Sequence, residues 1–201
     1  MLELHFENYP EALHHLQLAV KFDPSDVIGS HGRLASLTHF LSNVSSGVQN
    51  AGGLRAKRVA EFKTSLPASS SSVNPFTDHR TVSVFEEISA GHNDGIAVVA
   101  KVVSTIVHDE GVPVASIIMD SAGECIALCV YNCAPSFSFF IGDTVAIADP
   151  HVVEVKDLEL TPSSKVSFRS IRVPNPSKVS RNGTLPKPAQ VAPSHLKISA
   201  L

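Results

Sequence analysis

Tryptophan is missing from the 201 residues, and only two tyrosines and three cysteines occur. Tyr131 is the sole tyrosine after residue 9, so the stacking platforms on which single-stranded nucleic acid is usually held are scarce. No apolar run approaches the ~18 residues of a membrane helix. The opening "MLELHFENYPEALHH" lacks the basic start and apolar centre of a secretory signal. A reducing, intracellular compartment and no membrane partner are the expectation. The phosphate-cradling glycine loop, HExxH and GxSxG are all absent, and with them the usual routes to phosphoryl, metal-assisted and serine chemistry. The sequence reads as a non-enzymatic protein with no cofactor, no metal and no small-molecule substrate. Acidic residues are missing after Glu159. Residues 160–201 therefore carry +7 of a chain whose net charge is −3, leaving the first 159 at −10. Such asymmetry points to a basic C-terminal segment able to meet an anionic partner, or to a merely solvated tail.

The three cysteines, 125, 129 and 133, stand every fourth residue in "GECIALCVYNCAPS". Side chains two apart in a strand share a face, so Cys125, Ala127, Cys129, Tyr131 and Cys133 are expected on one side, with Ile126, Leu128 and Val130 on the other. Both sides are apolar, which places this strand between two covered layers with its thiols acting as small hydrophobes. A zinc site would need a fourth ligand, and none is in evident reach of the three.

Along the chain, residues 9–24 ("YPEALHHLQLAVKFDP") show the helical period through Ala12, Leu13, Leu16, Ala19 and Val20. Pro10 suits the first turn, and Asp23-Pro24 marks a stop. A second helix over 33–48 carries Leu34, Leu37, Leu41, Val44 and Val48, ended by Ala51-Gly52-Gly53. Arg55, Lys57, Arg58 and Lys63 follow, either as an anion patch or localisation signal, or as a solvated helix face. The Ser-rich, Pro-bounded "PASSSSVNP" (67–75) reads as a linker. From Arg80 the pattern turns to strands: "TVSVFEEI", "GIAVVAKVVSTIV", "VPVASIIMD", "CIALCVYN", "DTVAIADP" and "KVSFRSIRV" as the last. Asp109-Glu110-Gly111 and Ser121-Ala122-Gly123 serve as turns, and "PSFSFFIGD" as a short irregular or helical link in which Phe137, Phe139 and Phe140 plug one end. The expected architecture is an α+β chain: helices at 1–63, a linker at 64–79, a five-stranded barrel with one further connecting segment at 80–176 that folds by itself, and a disordered basic tail at 177–201.

Tyr9, Ala12, Leu16, Ala19 and Pro24 stand at the spacing of the second helix of a tetratricopeptide repeat, although no further copy follows. "IGDTVAI" (141–147), "GIAVVAKVV", "GVPVASIIMDSAGECIALCVYN" and "FRSIRV" resemble an OB-fold. Helical repeat and OB-fold in this order resemble the tetratricopeptide repeat protein 5 family, stress-responsive coactivator scaffolds. The resemblance implies a nuclear and cytoplasmic protein that holds histone acetyltransferase and arginine methyltransferase coactivators on a transcription factor during DNA damage and heat stress. It also implies recognition of nascent tubulin chains at the ribosome, but most repeat helices that would form that groove are not in this sequence, which reads as the end of an array.

Between protein and nucleic acid as partner, charge favours protein. Within 91–173 five basic residues face ten acidic ones, the wrong sign for a phosphate channel. The one candidate anion or partner face is Lys165, Arg169, Arg172, Lys178 and Arg181. It would support at most weak binding to single-stranded or promoter DNA, the alternative reading.

Overall fold

Pro10 stands in the first turn of helix α2 (Tyr9–Phe22), where its missing N–H removes no hydrogen bond, and the Asp23 N–H closes the far end on the Ala19 carbonyl. The computed structural model describes residues 2–107 and 113–192. A single turn, α1 (Leu2–His5), precedes α2. The longer α3 (Ser30–Gln49) packs against it through Leu37, Phe40 and Leu41, near the expected stripe. Two glycines let the helical layer press onto the strands. A side chain at Gly47 would begin 2.8 Å from Ile117, and one at Gly52, whose φ is +65°, would begin 2.6 Å from the Ser104 Cβ.

The Ser-rich stretch expected as a linker is helical. Residues 67–73 are the last turns of α4 (Ala56–Val73). Phe62 and Leu66, buried four residues apart, anchor the helix, and adding turns to a formed helix costs little for Ala and Ser.

Among the described residues nine strands, not five, form one curled sheet: β1 (Arg80–Val82), β2 (Gly91–His92), β3 (Ile96–Ile106), β4 (Val114–Met119), β5 (Cys125–Val130), β6 (Thr144–Ala148), β7 (His151–Thr161), β8 (Ser164–Val173) and β9 (Val179–Arg181). Their order is β2-β7-β8-β5-β4-β3-β6-β9, with β1 beside β3. Only Asp149-Pro150 separates β6 from β7, so the sheet curls back on itself. Strand β5 lies antiparallel to β4 and parallel to β8. The turn expected at Asp109-Glu110-Gly111 lies outside the described residues.

Strand β7 is the main departure from the sequence pattern. Its alternation is broken by a bulge between Val155 and Leu158, where Asp157 has φ +48°, and Glu154, Lys156 and Glu159 disguise it as loop. The segment 177–192 is the other. Val179 is fully buried, β9 pairs with β6, and Val191 bridges to Cys133, so this part of the expected disordered tail is ordered. Lys197 lies outside the described residues.

Two large apolar clusters sandwich the sheet, and a small third one joins Leu66 of α4 to Val99 and Ala146. Inside the curl sit Val98, Val102, Ile118, Ile126, Leu128, Val145, Ile147 and Ile171, capped by Phe85, Phe137 and Phe139. Outside it, Ile117, Met119, Ala127, Cys129 and Phe168 meet Tyr9, Leu37, Leu41 and Val44 of the helices. At roughly 1.5–3 kcal/mol for each large side chain buried, both layers contribute substantially.

Candidate functional site

The seam between helices and sheet is closed by polar chemistry at one residue. Glu7, in the link from α1 to α2, has φ +59° and is 2% exposed. Its carboxylate accepts hydrogen bonds from the Tyr131 hydroxyl (3.0 Å) and the Ser170 hydroxyl (2.9 Å). Arg172 lies near it, donates to the His5 carbonyl at 3.0 Å, and covers the Tyr131 and Phe6 rings. Burial pushes the Glu7 carboxyl above its usual range despite these partners.

The cysteines fall largely where the strand period puts them. Cys125, Ala127, Cys129 and Tyr131 face the helices, and Ile126, Leu128 and Val130 face the interior. Cys133 is the exception: β5 has ended, Asn132 takes φ +55°, and Cys133 packs against the inner cluster. Burial raises Cys125 to about 11 and Cys133 to about 12, and Cys129 well above the ordinary thiol value, which suits packing and not nucleophilic chemistry.

The five cations expected as one face are dispersed. Arg169 and Arg172 are three apart on β8 and so point to opposite sides of the sheet. Arg169 donates to the Ile88 carbonyl at 2.8 Å and pairs with Glu124 at 3.3 Å, whereas Arg172 is buried in the helix seam. Lys165 is exposed on β8, 4.0 Å from Glu159. Lys178 holds Asp149 at 2.6 Å, and Arg181 donates to the Ser138 carbonyl at 2.8 Å and lies 3.8 Å from Asp143. Lys178, His79 and the Gly95 N–H together keep Asp149 well below the usual carboxylate range. Four of the five brace the fold, a use that spacing alone does not reveal.

Two accessible features were not legible from the sequence. A cleft of about 430 Å3 opens between α1, α2, α3 and the chain beside the start of β4 and the end of β5, with Leu16, Ala19, Leu37, Phe40 and Tyr131 in its wall and Arg33 among its polar groups. At the other end, Phe140 and Ile141 are exposed, unlike Phe137 and Phe139, whose rings meet edge to face at 5.0 Å in the inner cluster. The expectation that Phe140 plugs the curl is thus corrected. The alternation that turns 137 and 139 inward turns 140 outward.

A model described as Tetratricopeptide repeat protein 5 OB fold domain matches residues 79–195. The chain belongs to this family. Tetratricopeptide repeat protein 5 of Bos taurus is 31% identical over 193 residues, covering 88% of this chain and 42% of the bovine protein. The Homo sapiens protein is 29% identical over 190 residues, with the same shares covered, and the Mus musculus protein 31% over 190. The chain thus spans less than half the length of these curated relatives. Among solved structures, the NMR structure of an OB domain from Methanosarcina mazei aligns at 15% identity with a TM-score of 0.38, covering 58% of this chain and 93% of that one.

Proposed function

We propose that this chain is a non-enzymatic scaffold module of the tetratricopeptide repeat protein 5 family, a binder of coactivator proteins in stress-responsive transcription in nucleus and cytoplasm. The helices, on this reading, are the end of a tetratricopeptide array, with Tyr9, Ala12, Leu16, Ala19 and Pro24 as its signature. One observation carries the choice of protein over nucleic acid. OB-folds that bind oligonucleotides use the face of their second and third strands together with the loops joining strands one to two and four to five. Here the corresponding face, Ala115, Ile117 and Met119 of β4 with Cys125, Ala127 and Cys129 of β5, is buried under helices. No base can stack there while the helices stay docked.

The test is a titration of single-stranded DNA at several salt concentrations, beside capture of a histone acetyltransferase coactivator by the same protein. Each phosphate neutralised adds about 0.7 to the slope of log affinity against log salt. Capture of the coactivator, with a DNA slope below about 1, is expected. Tight DNA binding with a slope of about 3 or more, and no capture, overturns the scaffold reading. Cutting at residue 177 would remove β9, so Lys178→Ala and Arg181→Ala replace truncation as the way to ask whether the basic end carries any residual DNA affinity.

A further inference from the structure

The turn after the buried phenylalanines is braced from several directions and yet displays apolar side chains to solvent. The Phe140 N–H donates to the Asp143 carboxylate at 2.8 Å, and the Gly142 N–H to the Val102 carbonyl at 2.8 Å. Asn182 ties the turn to β6, donating to Asp143 at 2.7 Å and accepting from the Thr144 N–H at 2.8 Å. Gly142 itself stands at φ +97°, a conformation other residues rarely adopt. On this support Phe140 is 63% and Ile141 53% exposed.

Three cations frame the pair. The Arg181 guanidinium lies 5.5 Å from the centre of the Phe140 ring. Arg58, stacked on Phe62 at 4.5 Å, has its guanidinium 3.6 Å from where a side chain at Gly142 would begin. Lys101 reaches the Gly142 carbonyl at 3.4 Å and the Thr144 hydroxyl at 2.6 Å. Burial lowers its pKa, and the nearby Arg58 charge lowers it further against the pull of Asp143. Of the nearby carboxylates, Asp143 holds the Phe140 N–H and Asn182 and lies 3.8 Å from Arg181, and Glu61 is 2.9 Å from Arg58. Positive charge therefore exceeds negative on this face, while the chain as a whole is at −3.

We infer that the Phe140–Ile141 turn, framed by Arg58, Lys101 and Arg181, is a docking surface for an acidic peptide segment that carries an aromatic or aliphatic anchor. Complementarity of charge selects the occupant. Spaced Asp or Glu side chains relieve the crowding of Arg58 against Lys101, and an apolar residue between them covers Phe140 and Ile141. A continuous phosphate chain fits less well, because it would leave the exposed Phe140 and Ile141 pair uncovered by apolar groups and Ile141 offers a base no stacking surface. A rigid turn also loses little conformational freedom when it is covered. This inference rests on the reading of the chain as a protein-binding scaffold.

The test uses the full chain and a fluorescein-labelled twelve-residue peptide alternating Glu-Asp with Leu-Phe, read by fluorescence anisotropy beside the same peptide with Lys at every acidic position. The acidic peptide is expected to bind in the micromolar range and more weakly as salt rises. Phe140→Ser, Ile141→Ser, Arg58→Glu and Arg181→Glu should each weaken it about tenfold, with Phe140→Leu close to wild type and Lys165→Glu, away on β8, unchanged. Arg58→Gln, which removes the charge without reversing it, serves if Arg58→Glu fails to fold. Equal binding of the Lys peptide, no binding of either peptide, or affinity unmoved by the four variants overturns the surface, and leaves the scaffold reading intact if coactivator capture persists. Displacement of the peptide by single-stranded DNA of equal charge, with the same four variants losing DNA, makes this a nucleic-acid site and overturns both.

Discussion

On the inner side of β5, Ile126, Leu128 and Val130 meet an almost wholly apolar cluster, whereas on its outer side Cys129 and Tyr131 share their layer with a buried carboxylate, two hydroxyls and an arginine. Both sides exclude water. The inner side does so with shape alone, and many sequences of similar volume would serve. The outer side holds Glu7 between Tyr131 and Ser170, so the helices can dock in one register only without leaving buried polar groups unpaired. One face supplies adhesion and the other supplies a choice of geometry.

The largest break in this comparison comes from charge inside the curl. Val145 is fully buried among the inner cluster, and Val145→Asp would place an uncompensated carboxylate there, worth about 4 kcal/mol or more. Loss of a dispersed NMR spectrum is the expected result, and a parent-like spectrum would refute the assignment of this face. Next is removal of the helices. The packing argues against the expectation that 80–176 folds by itself, since a fragment of residues 80–192 would bare Ile117, Met119, Ala127 and Phe168. It should bind a hydrophobic dye and unfold with little cooperativity, whereas a sharp two-state melt would show that the helices add nothing to the sheet.

Glu7→Leu probes the outer side alone. It keeps the volume but strands the Tyr131 and Ser170 hydroxyls and leaves Arg172 without its nearby carboxylate, an expected loss of about 2–3 kcal/mol by chemical denaturation. The helix signal should melt with the sheet and not before it if the seam is one cooperative unit.

Much of the fold was readable because its signals were local. The helical stripe at Leu37, Leu41 and Val44 and the two-residue period of β5 needed no knowledge of partners, and both families of side chains lie where those periods put them. Strand β7 was not readable, because its bulge at Val155/Leu158 shifts the period midway and its exposed charges mimic a loop. The cations failed for another reason. Whether Arg169 or Arg181 faces solvent or the carbonyls of Ile88 and Ser138 depends on strand pairing far away in sequence. The acidic anchor of the seam is the hardest case. Glu7 looks like any solvated glutamate until the turn at φ +59° carries it under the helices.

A smaller effect separates the faces by pH. Because Glu7 has a raised pKa in the fold, the folded state keeps its proton at pH values where the unfolded chain, near 4.5, has released it. The contribution is therefore fully present below about 4.5 and is lost as pH rises through the folded value. Glu7→Gln removes this dependence. The melting temperature of the variant, measured against the parent from acid to neutral pH, should match it in acid and gain on it as pH rises. A constant difference across that range would show that Glu7 is not held as a buried carboxyl.

The smallest expected effect is a gain. Ser116 pairs across from Leu128 and so faces the inner cluster, is fully buried, and its hydroxyl has no hydrogen-bond partner among the described residues. A buried hydroxyl without a partner costs more than the methyl that would replace it, so Ser116→Ala should stabilise by about 1 kcal/mol, raising the melting temperature by about 2–4 °C. Ser170→Ala is the matched change on the other side. That hydroxyl donates to Glu7 at 2.9 Å, and its removal should destabilise by about 1 kcal/mol or more because the carboxylate loses a donor it cannot replace with water. Two Ser→Ala changes on one sheet are thus expected to move stability in opposite directions. Calorimetry on the two variants and the parent decides it: shifts of the same sign would mean that the inner and outer layers do not differ in the way their polar groups are satisfied.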